Sequence, residues 1–282
     1  MRFFWIFLLL FLTSFSVKAI CIDGNCNNGF GTYIWKSGDM YTGFWKNGEK
    51  HYFGMNFWSD GDFWYGLYKD GDRKPSSGIY AWDDGDFENR NNRVYYDEKG
   101  CVSGNCEDGW GVYIYDGGDL HAGYWENGKQ HYFGAKFWAS GDFYLGLYNN
   151  GSRKPKSHGY YVFDDGKSKK HLGPVKYNES GCVVGDCENG FGTYIWKDGD
   201  LHTGYWKKGK PHYVGFKFWK DDKDFFMGLY KDGKRQKRGI YVYENGDLKI
   251  RTDKVTYSYL KVLKKKESNS GEEGENGAAP KN

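Results

Sequence analysis

Short alternating runs separated by turn residues recur along most of the chain. Residues 29–35 read Gly-Phe-Gly-Thr-Tyr-Ile-Trp, and residues 40–45 read Met-Tyr-Thr-Gly-Phe-Trp after a turn that contains Gly38 and Asp39. Alternation with a period of two is typical of a β-strand, and a Gly-Asp turn between two such runs is typical of a hairpin. The pattern therefore predicts an antiparallel hairpin over residues 29–48.

Glycines and aromatic rings share one face of this predicted hairpin. Tyr33 and Trp35 lie on one face of the first strand, and Tyr41 and Trp45 lie on the same face of the second strand with Gly43 between them. A glycine inside a strand is destabilising unless a neighbouring ring covers its bare backbone. We therefore expect the rings to pack on glycine backbone, which explains how a chain that is 20% aromatic keeps a mean hydropathy of −0.82.

The hairpin pattern is repeated on two scales. Residues 29–35 return nearly unchanged as residues 109–115 and 190–196, so the chain contains three blocks. Within the first block, units of about 23 residues also repeat. The second strand of the third unit is polar at residues 87–90 and basic at residues 167–170. We therefore expect irregular block ends.

These units resemble the MORN repeat family. The matching features are the Gly-x-Gly-x-Tyr-x-Trp start, the Gly-Asp turn, the Tyr-x-Gly-x-Trp second strand and the glycine that follows, over residues 29–247. The chain departs from the pattern in its third units and at residues 221–223, where an insertion replaces a turn glycine. The resemblance implies an all-β fold in which about nine units stack into an elongated single-layer antiparallel sheet. At ~4.8 Å per strand, about eighteen strands would make a rod roughly 80 Å long.

The ends of the chain differ from the repeats. An apolar run at residues 3–12, followed by Val17-Lys18-Ala19, predicts a secretory signal peptide. An alternative is a lipoprotein acylated at Cys21. The predicted organisation is a signal peptide (residues 1–19), three repeat blocks (residues 20–100, 101–181 and 182–263) and a disordered polar tail (residues 264–282).

The cysteines form three regularly spaced pairs. They are Cys21 and Cys26, Cys101 and Cys106, and Cys182 and Cys187. An even count at regular spacing in an exported chain favours local disulfides. Three zinc sites would instead need further ligands, and none recurs beside the pairs. We expect an exported protein, periplasmic or extracellular, with a composition that is typical of a bacterial one.

Two sets of polar residues invite a metal or catalytic interpretation. The turn aspartates lack the spacing and closing Glu of a calcium loop, and Gly-Asp is ordinary turn chemistry. His51, His131 and His212 recur once per block, where we expect a structural role, whereas His121 and His202 replace the packing aromatic Tyr41. No nucleophile motif or phosphate loop occurs, although a glycosidase carboxylate pair could be hidden among the turns. We therefore expect no enzymatic activity, no metal and no cofactor.

The aromatic stripe is the strongest candidate for a functional surface, although most of its rings are expected to cover glycines. The candidate binding face comprises Tyr33, Trp35, Tyr41, Trp45, Trp58, Trp64, Tyr68, Trp125, Trp138, Tyr144, Trp196, Trp206 and Trp219. A single-layer sheet would leave some of this surface exposed, and exposed apolar surface marks an interaction site. The first hypothesis is a scaffold that docks a protein partner or a second copy of itself.

Two other ligands remain open, and one is disfavoured. Rows of rings could stack on the sugars of a glycan, and residues 264–266 could assist binding to phospholipid surfaces. Without the two basic residues of the signal segment the chain has 38 basic and 37 acidic residues. This balance argues against nucleic-acid binding, which needs a clustered basic surface.

Overall fold

The computed structural model describes residues 20–73, 77–151, 158–172, 176–245, 247–255 and 257. These residues form 21 strands, and all neighbouring strands pair antiparallel. No helix that could cross a membrane occurs in this part of the chain. The predicted all-β stack of antiparallel hairpins is confirmed, whereas the predicted signal peptide and polar tail lie outside the described residues.

The strands belong to three sheets of seven strands each, and each sheet follows the chain order. The first sheet contains β1 (Ile20–Gly24), β2 (Gly29–Ile34), β3 (Met40–Lys46), β4 (Glu49–Phe57), β5 (Phe63–Tyr68), β6 (Ser77–Ala81) and β7 (Phe87–Asn91). The second contains β8 (Gly100–Gly104), β9 (Gly109–Ile114), β10 (Leu120–Glu126), β11 (Lys129–Phe137), β12 (Phe143–Tyr148), β13 (His158–Val162) and β14 (Ser168–Leu172). The third contains β15 (Gly181–Gly185), β16 (Phe191–Ile195), β17 (Leu201–Lys207), β18 (Lys210–Phe218), β19 (Phe225–Lys231), β20 (Lys234–Val242) and β21 (Leu248–Thr252).

The expectation about the block ends needs correction. The block ends are not irregular, because the polar residues of β7 and β14 form regular edge strands that pair with β6 and β13. In addition, the first cysteine of each pair lies in a strand that precedes the repeat pattern, for example β1, which pairs with β2 through Cys21 and Tyr33. Polar side chains suit an edge strand, since its outer side faces water.

The stack is also divided into three sheets, where the repeat pattern predicts one continuous layer. Each sheet contacts the other two. The Nδ2 of Asn89 on β7 donates to the Tyr160 hydroxyl of the second sheet at 3.1 Å. Phe133 stacks on Phe216 of the third sheet at 3.7 Å between ring centroids. The Thr252 hydroxyl donates to the Asp83 carbonyl at 2.7 Å and so joins the third sheet to the first.

The three sheets share one core on their inner faces. The equivalent residues Phe30, Trp110 and Phe191 meet with ring centroids 4.9 to 5.1 Å apart. Behind them, the apolar cluster draws members from all three sheets, including the buried Ile34, Ile114 and Ile195. Apolar sheet faces must be covered by another layer, and here the three sheets cover one another. Their opposite faces are turned outwards and carry the aromatic stripe.

Candidate functional site

A row of glycines crosses the outer face of each sheet. In the first sheet Gly43 pairs with Gly54, and Gly54 pairs with Gly66. The Tyr41 ring on β3 lies against Gly54 on β4, so a Cβ added to Gly54 would stand only 2.2 Å from the Tyr41 hydroxyl. The prediction that rings cover glycine backbone is therefore confirmed. The glycines are required because a larger residue would occupy the space of the ring.

The rings above this glycine row also pack on one another. Tyr41 meets Trp45 edge to face with centroids 4.9 Å apart, and Trp45 Nε1 donates to the Gly31 carbonyl at 3.1 Å. Most of the candidate binding-face residues are consequently buried, namely Tyr33, Trp35, Tyr41, Trp45, Trp64, Tyr68, Trp125, Tyr144 and Trp206. The half-buried ones are Trp58, Trp138, Trp196 and Trp219. The outer faces are therefore packed surfaces from which a few rings emerge.

The emerging rings occupy equivalent positions just before the Gly-Asp turns. In the first sheet Trp58 and Trp82 are half-buried, and the same position in the next blocks holds Trp138 and Trp219. Successive rings of one sheet are two strands apart, which corresponds to ~10 Å. The turn edge of each sheet thus carries a regularly spaced line of partly accessible rings.

Lysine and arginine side chains lie over these rings. Lys50 Nζ is 4.8 Å from the centroid of Trp35, and Arg73 Cζ is 4.9 Å from that of Trp58. In the third sheet Lys217 Nζ lies 3.6 Å from Trp196, and Arg235 Cζ lies 5.2 Å from Trp219. A cation over a ring face is attracted by the ring quadrupole. The sequence pattern alone does not predict that these cations cover the rings. A signal for it exists, because alignment of the blocks places Arg73 and Arg235 at the same position.

The lysines differ between the sheets in position and partner. Lys136 Nζ and Lys217 Nζ lie 3.4 and 2.9 Å from the carboxylates of Asp119 and Asp200, respectively. In the first sheet Asn56 occupies their position, and Lys50 Nζ reaches its Oδ1 at 3.2 Å from six residues earlier. Among the described residues Lys50 forms no ion pair. Burial lowers the pKa of Lys50 to about 8, with the charge of Asp39 opposing the shift and that of Arg73 adding to it.

A hollow of about 470 Å³ opens on the outer face beside Lys50. Its walls include Lys50, Arg73 and the rings of Trp58 and Tyr68. The remaining lining residues are Glu49, Asp70, Gly71 and Asp72. Such a mixture of ring, cation and carboxylate suits a polar ligand with a flat apolar side.

The turn aspartates connect successive hairpins. Asp142 Oδ1 accepts the backbone N–H of Asp164 in the next turn, and its Oδ2 accepts the Tyr161 hydroxyl, both at 2.7 Å. Asp224 does the same with Glu244 and Tyr241, both at 2.6 Å. This pattern explains why an aspartate recurs at most of these turns. The carboxylates hold neighbouring turns and an outer-face tyrosine in place.

The recurring histidines connect the turns at the opposite edge. His51 Nδ1 accepts the N–H of Asp70 at 3.1 Å, just as Asn28 Oδ1 accepts the N–H of Asn47 at 2.9 Å. The Nδ1 of His51 therefore carries no proton, and its approach to the Asp70 carboxylate at 3.4 Å is not an ion pair. Burial lowers the pKa of His51 to about 4. The structural role expected for these histidines is confirmed, and the spacing of 23 residues from Asn28 is the signal that identifies it.

His121 and His202 take the place of Tyr41, as expected. The His121 ring packs edge to face on Trp125 and Tyr148 with centroids 5.1 and 4.8 Å apart. His202 makes the equivalent contacts in the third sheet. Burial lowers the pKa of both imidazoles, so they pack as neutral rings.

The cysteines form the three local disulfides that the sequence predicts. The pairs are Cys21–Cys26, Cys101–Cys106 and Cys182–Cys187. Disulfides of this kind are compatible with an exported protein. No group of three or more metal-ligating His, Cys, Asp or Glu side chains occurs among the described residues.

Comparisons with known proteins give little further guidance. No family model and no curated protein matches the chain. Among solved structures, the chain is similar to the TCP10 domain of Danio rerio CPAP in complex with a peptide of Danio rerio STIL. The identity is 11%, and the match covers 84% of this chain and 99% of that one. The TM-score of 0.18 is too low for any conclusion about fold or ligand.

Proposed function

We propose that this chain is a non-catalytic, exported binding scaffold built from MORN-like repeats, and that its ligand is a carbohydrate held against the outer faces of the sheets. The observation that carries this proposal is the line of half-buried rings along the turn edge, with Trp58 and Trp138 as examples. Sugar rings have apolar faces that stack on such side chains, and their hydroxyls need nearby polar partners. Beside Trp58, the side chains of Lys50, Asp70 and Asp72 supply such partners.

Burial of the remaining outer-face rings supports a carbohydrate over a large protein interface. Tyr41, Trp45 and Trp64 are each exposed by 1% or less. A broad protein interface needs a contiguous apolar core, whereas isolated rings among polar groups suit a ligand of alternating polar and apolar character.

Retention on insoluble polysaccharides, including peptidoglycan, together with a glycan array tests this function. We expect retention of the purified protein and a loss of retention in Trp58→Ala and Trp138→Ala together. Tyr95→Ala is the matched control, because Tyr95 is 66% exposed but lies between two sheets in sequence. A flat array and no retention on any polysaccharide would overturn the proposal.

The second candidate function is docking of a protein partner or a second copy of the chain. It is favoured by the three large apolar side chains that are exposed among the described residues, Phe87, Tyr95 and Phe163. Size-exclusion chromatography with light scattering and a pull-down survey test it. A monomer without captured partners would count against this candidate. Association with phospholipid surfaces is a third candidate, and co-sedimentation with anionic liposomes at low salt tests it.

A further inference from the structure

The three sheets place a lysine over equivalent rings, but only one of these lysines is available to a ligand. The ammonium groups of Lys136 and Lys217 are occupied by the turn carboxylates of Asp119 and Asp200. Lys50 comes from a different position, lies over Trp35 and contacts the neutral amide oxygen of Asn56. A half-buried cation without an ion-pair partner is a natural site for an anion, since an added charge partner offsets its desolvation.

The hollow beside Lys50 has the size and the walls of a small-ligand site. Its volume of about 470 Å³ lies within the ~300–1,000 Å³ that is common for such sites. Trp58 provides a half-buried ring, and Arg73 is held over that ring and over Tyr80 with Cζ 4.6 Å from the Tyr80 centroid. Two cationic groups and a flat apolar platform therefore face the same space.

The carboxylates around the hollow restrict the kind of anion that fits. Glu49, Asp70 and Asp72 line it together with the cations. They would repel a ligand unit that carries several negative charges, but they can accept hydrogen bonds from neutral hydroxyl groups. A ligand that satisfies every wall has one carboxylate, several hydroxyls and an apolar ring face, which is the chemistry of a uronic acid.

From this arrangement we infer that the hollow of the first sheet binds a carboxylated sugar. The ligand carboxylate contacts Lys50, the apolar side of the sugar packs against the part of Trp58 that Arg73 leaves open, and sugar hydroxyls donate to the surrounding carboxylates. The corresponding positions of the other two sheets do not bind such a sugar, because their lysines are already paired. The inference rests on the proposed carbohydrate-binding function and adds to it the class of sugar and the site.

A charge-conserving exchange of two residues tests the site. The double variant Lys50→Gln with Asn56→Lys reproduces the arrangement of Gln130 and Lys136 and brings the new lysine towards Asp39, the equivalent of Asp119. Binding of polygalacturonate is measured by affinity electrophoresis or calorimetry on the full chain. We expect a loss of affinity of about tenfold or more, the effect of one charge-assisted hydrogen bond. Lys136→Gln is the matched control and should leave affinity unchanged.

Variant folding is monitored by circular dichroism and thermal unfolding. If the double variant fails to fold, Lys50→Met replaces it, since Met keeps most of the apolar stem and removes only the charge. The inference is overturned if a folded Lys50 variant binds polygalacturonate as tightly as the unchanged chain. It is equally overturned if Lys136→Gln abolishes binding.

Three further ligands separate this inference from the proposed function. Fully methyl-esterified polygalacturonate keeps the sugars without their charge, and poly-glutamate keeps the charge without the sugars. We expect both to bind at least tenfold more weakly than polygalacturonate. Equal binding of the ester and the acid would overturn the role of Lys50 but leave carbohydrate binding intact. Equal or tighter binding of poly-glutamate would overturn the inference that the ligand is a sugar. If the chain binds none of these polymers and no neutral β-glucan, both proposals are overturned.

Discussion

The inner and outer faces of each sheet bury aromatic rings by different means. On the inner face Phe133 is covered by Phe216 of another sheet. On the outer face Tyr41 is covered by its own sheet, because it lies on Gly54 and against Trp45. Exposure is 1% or less for each of these three aromatic side chains, Phe133, Tyr41 and Trp45. A sheet can thus dispense with a second layer on one face, if glycines below and cations above cover the rings.

Truncation of an inner-face ring should cause the largest loss in the free energy of unfolding. Phe133→Ala removes a buried ring that connects two sheets, and we expect it to lower the free energy of unfolding by about 3–5 kcal/mol. Phe163→Ala, at a side chain that is 38% exposed, should change it by about 0.5 kcal/mol or less. Denaturant unfolding measures both. Equal effects of the two changes would mean that the sheets do not share a core.

Substitution of alanine for a glycine of the outer-face row should cause the next largest loss in the free energy of unfolding. A Cβ at Gly134 would lie 2.6 Å from Cε1 of His121, so Gly134→Ala should cost about 1–3 kcal/mol through overpacking. Gly117→Ala is the control, because nothing lies within 4 Å of the added Cβ. His121→Ala combined with Gly134→Ala should recover part of the loss. Strictly additive effects of the two changes would show that the ring does not rest on the glycine.

Removal of a turn carboxylate should lower the free energy of unfolding by a smaller amount. Asp142→Ala leaves the N–H of Asp164 and the hydroxyl of Tyr161 without their acceptor, at an expected cost of about 1–2 kcal/mol. Asp86 belongs to the last hairpin of its sheet, and among the described residues its carboxylate accepts no hydrogen bond. Asp86→Ala should therefore be nearly neutral in thermal unfolding. A cost as large as that of Asp142→Ala would refute the connecting role of the turn aspartates.

The stability of the chain should depend on pH through the buried His51, whose Nδ1 accepts the N–H of Asp70. The pKa of His51 is about 4 in the folded chain and near 6.5 in the unfolded chain, so between these values the unfolded state binds more protons. The stabilisation is therefore complete above about 6.5 and is lost as the pH falls towards 4. His51→Asn keeps an acceptor for Asp70 and should reduce this dependence in urea unfolding at pH 7.5 and 5, while the other buried histidines keep their share of it. An unchanged slope would contradict the assignment.

Local structure could be predicted from the sequence because it depends on neighbouring residues. The glycine and aromatic alternation around Gly43 and Trp45 specifies the strands and the face that carries the rings, and the cysteine spacing specifies the disulfides. The division into three sheets could not be predicted, because it depends on contacts such as Thr252 with Asp83, which are 169 residues apart. Apolar and polar residues alternate in the same way along the strands of one continuous sheet and along those of three sheets that cover one another.

The sequence predicts the candidate site only as a surface. The line of rings can be recognised in the sequence, but the burial of Tyr41 and Trp64 depends on how tightly neighbouring strands pack. The special position of Lys50 emerges only from comparison with Lys136, which pairs with Asp119. Because the lysine of the first sheet lies six residues earlier, it is not paired with a turn aspartate. The hydrophobic periodicity of the sequence does not reveal this difference.

The three blocks close on a shared inner face and turn their opposite faces outwards. Spin labels at Asp84→Cys and Asp253→Cys test this arrangement by pulsed electron resonance, since both side chains are exposed and lie beside the contact of Asp83 with Thr252. The closed arrangement predicts a label separation of about 20 Å or less. In one continuous sheet the fourteen strand spacings from β7 to β21 would separate the labels by about 65 Å. A distance distribution near that value would contradict the closed arrangement and the assignment of inner and outer faces.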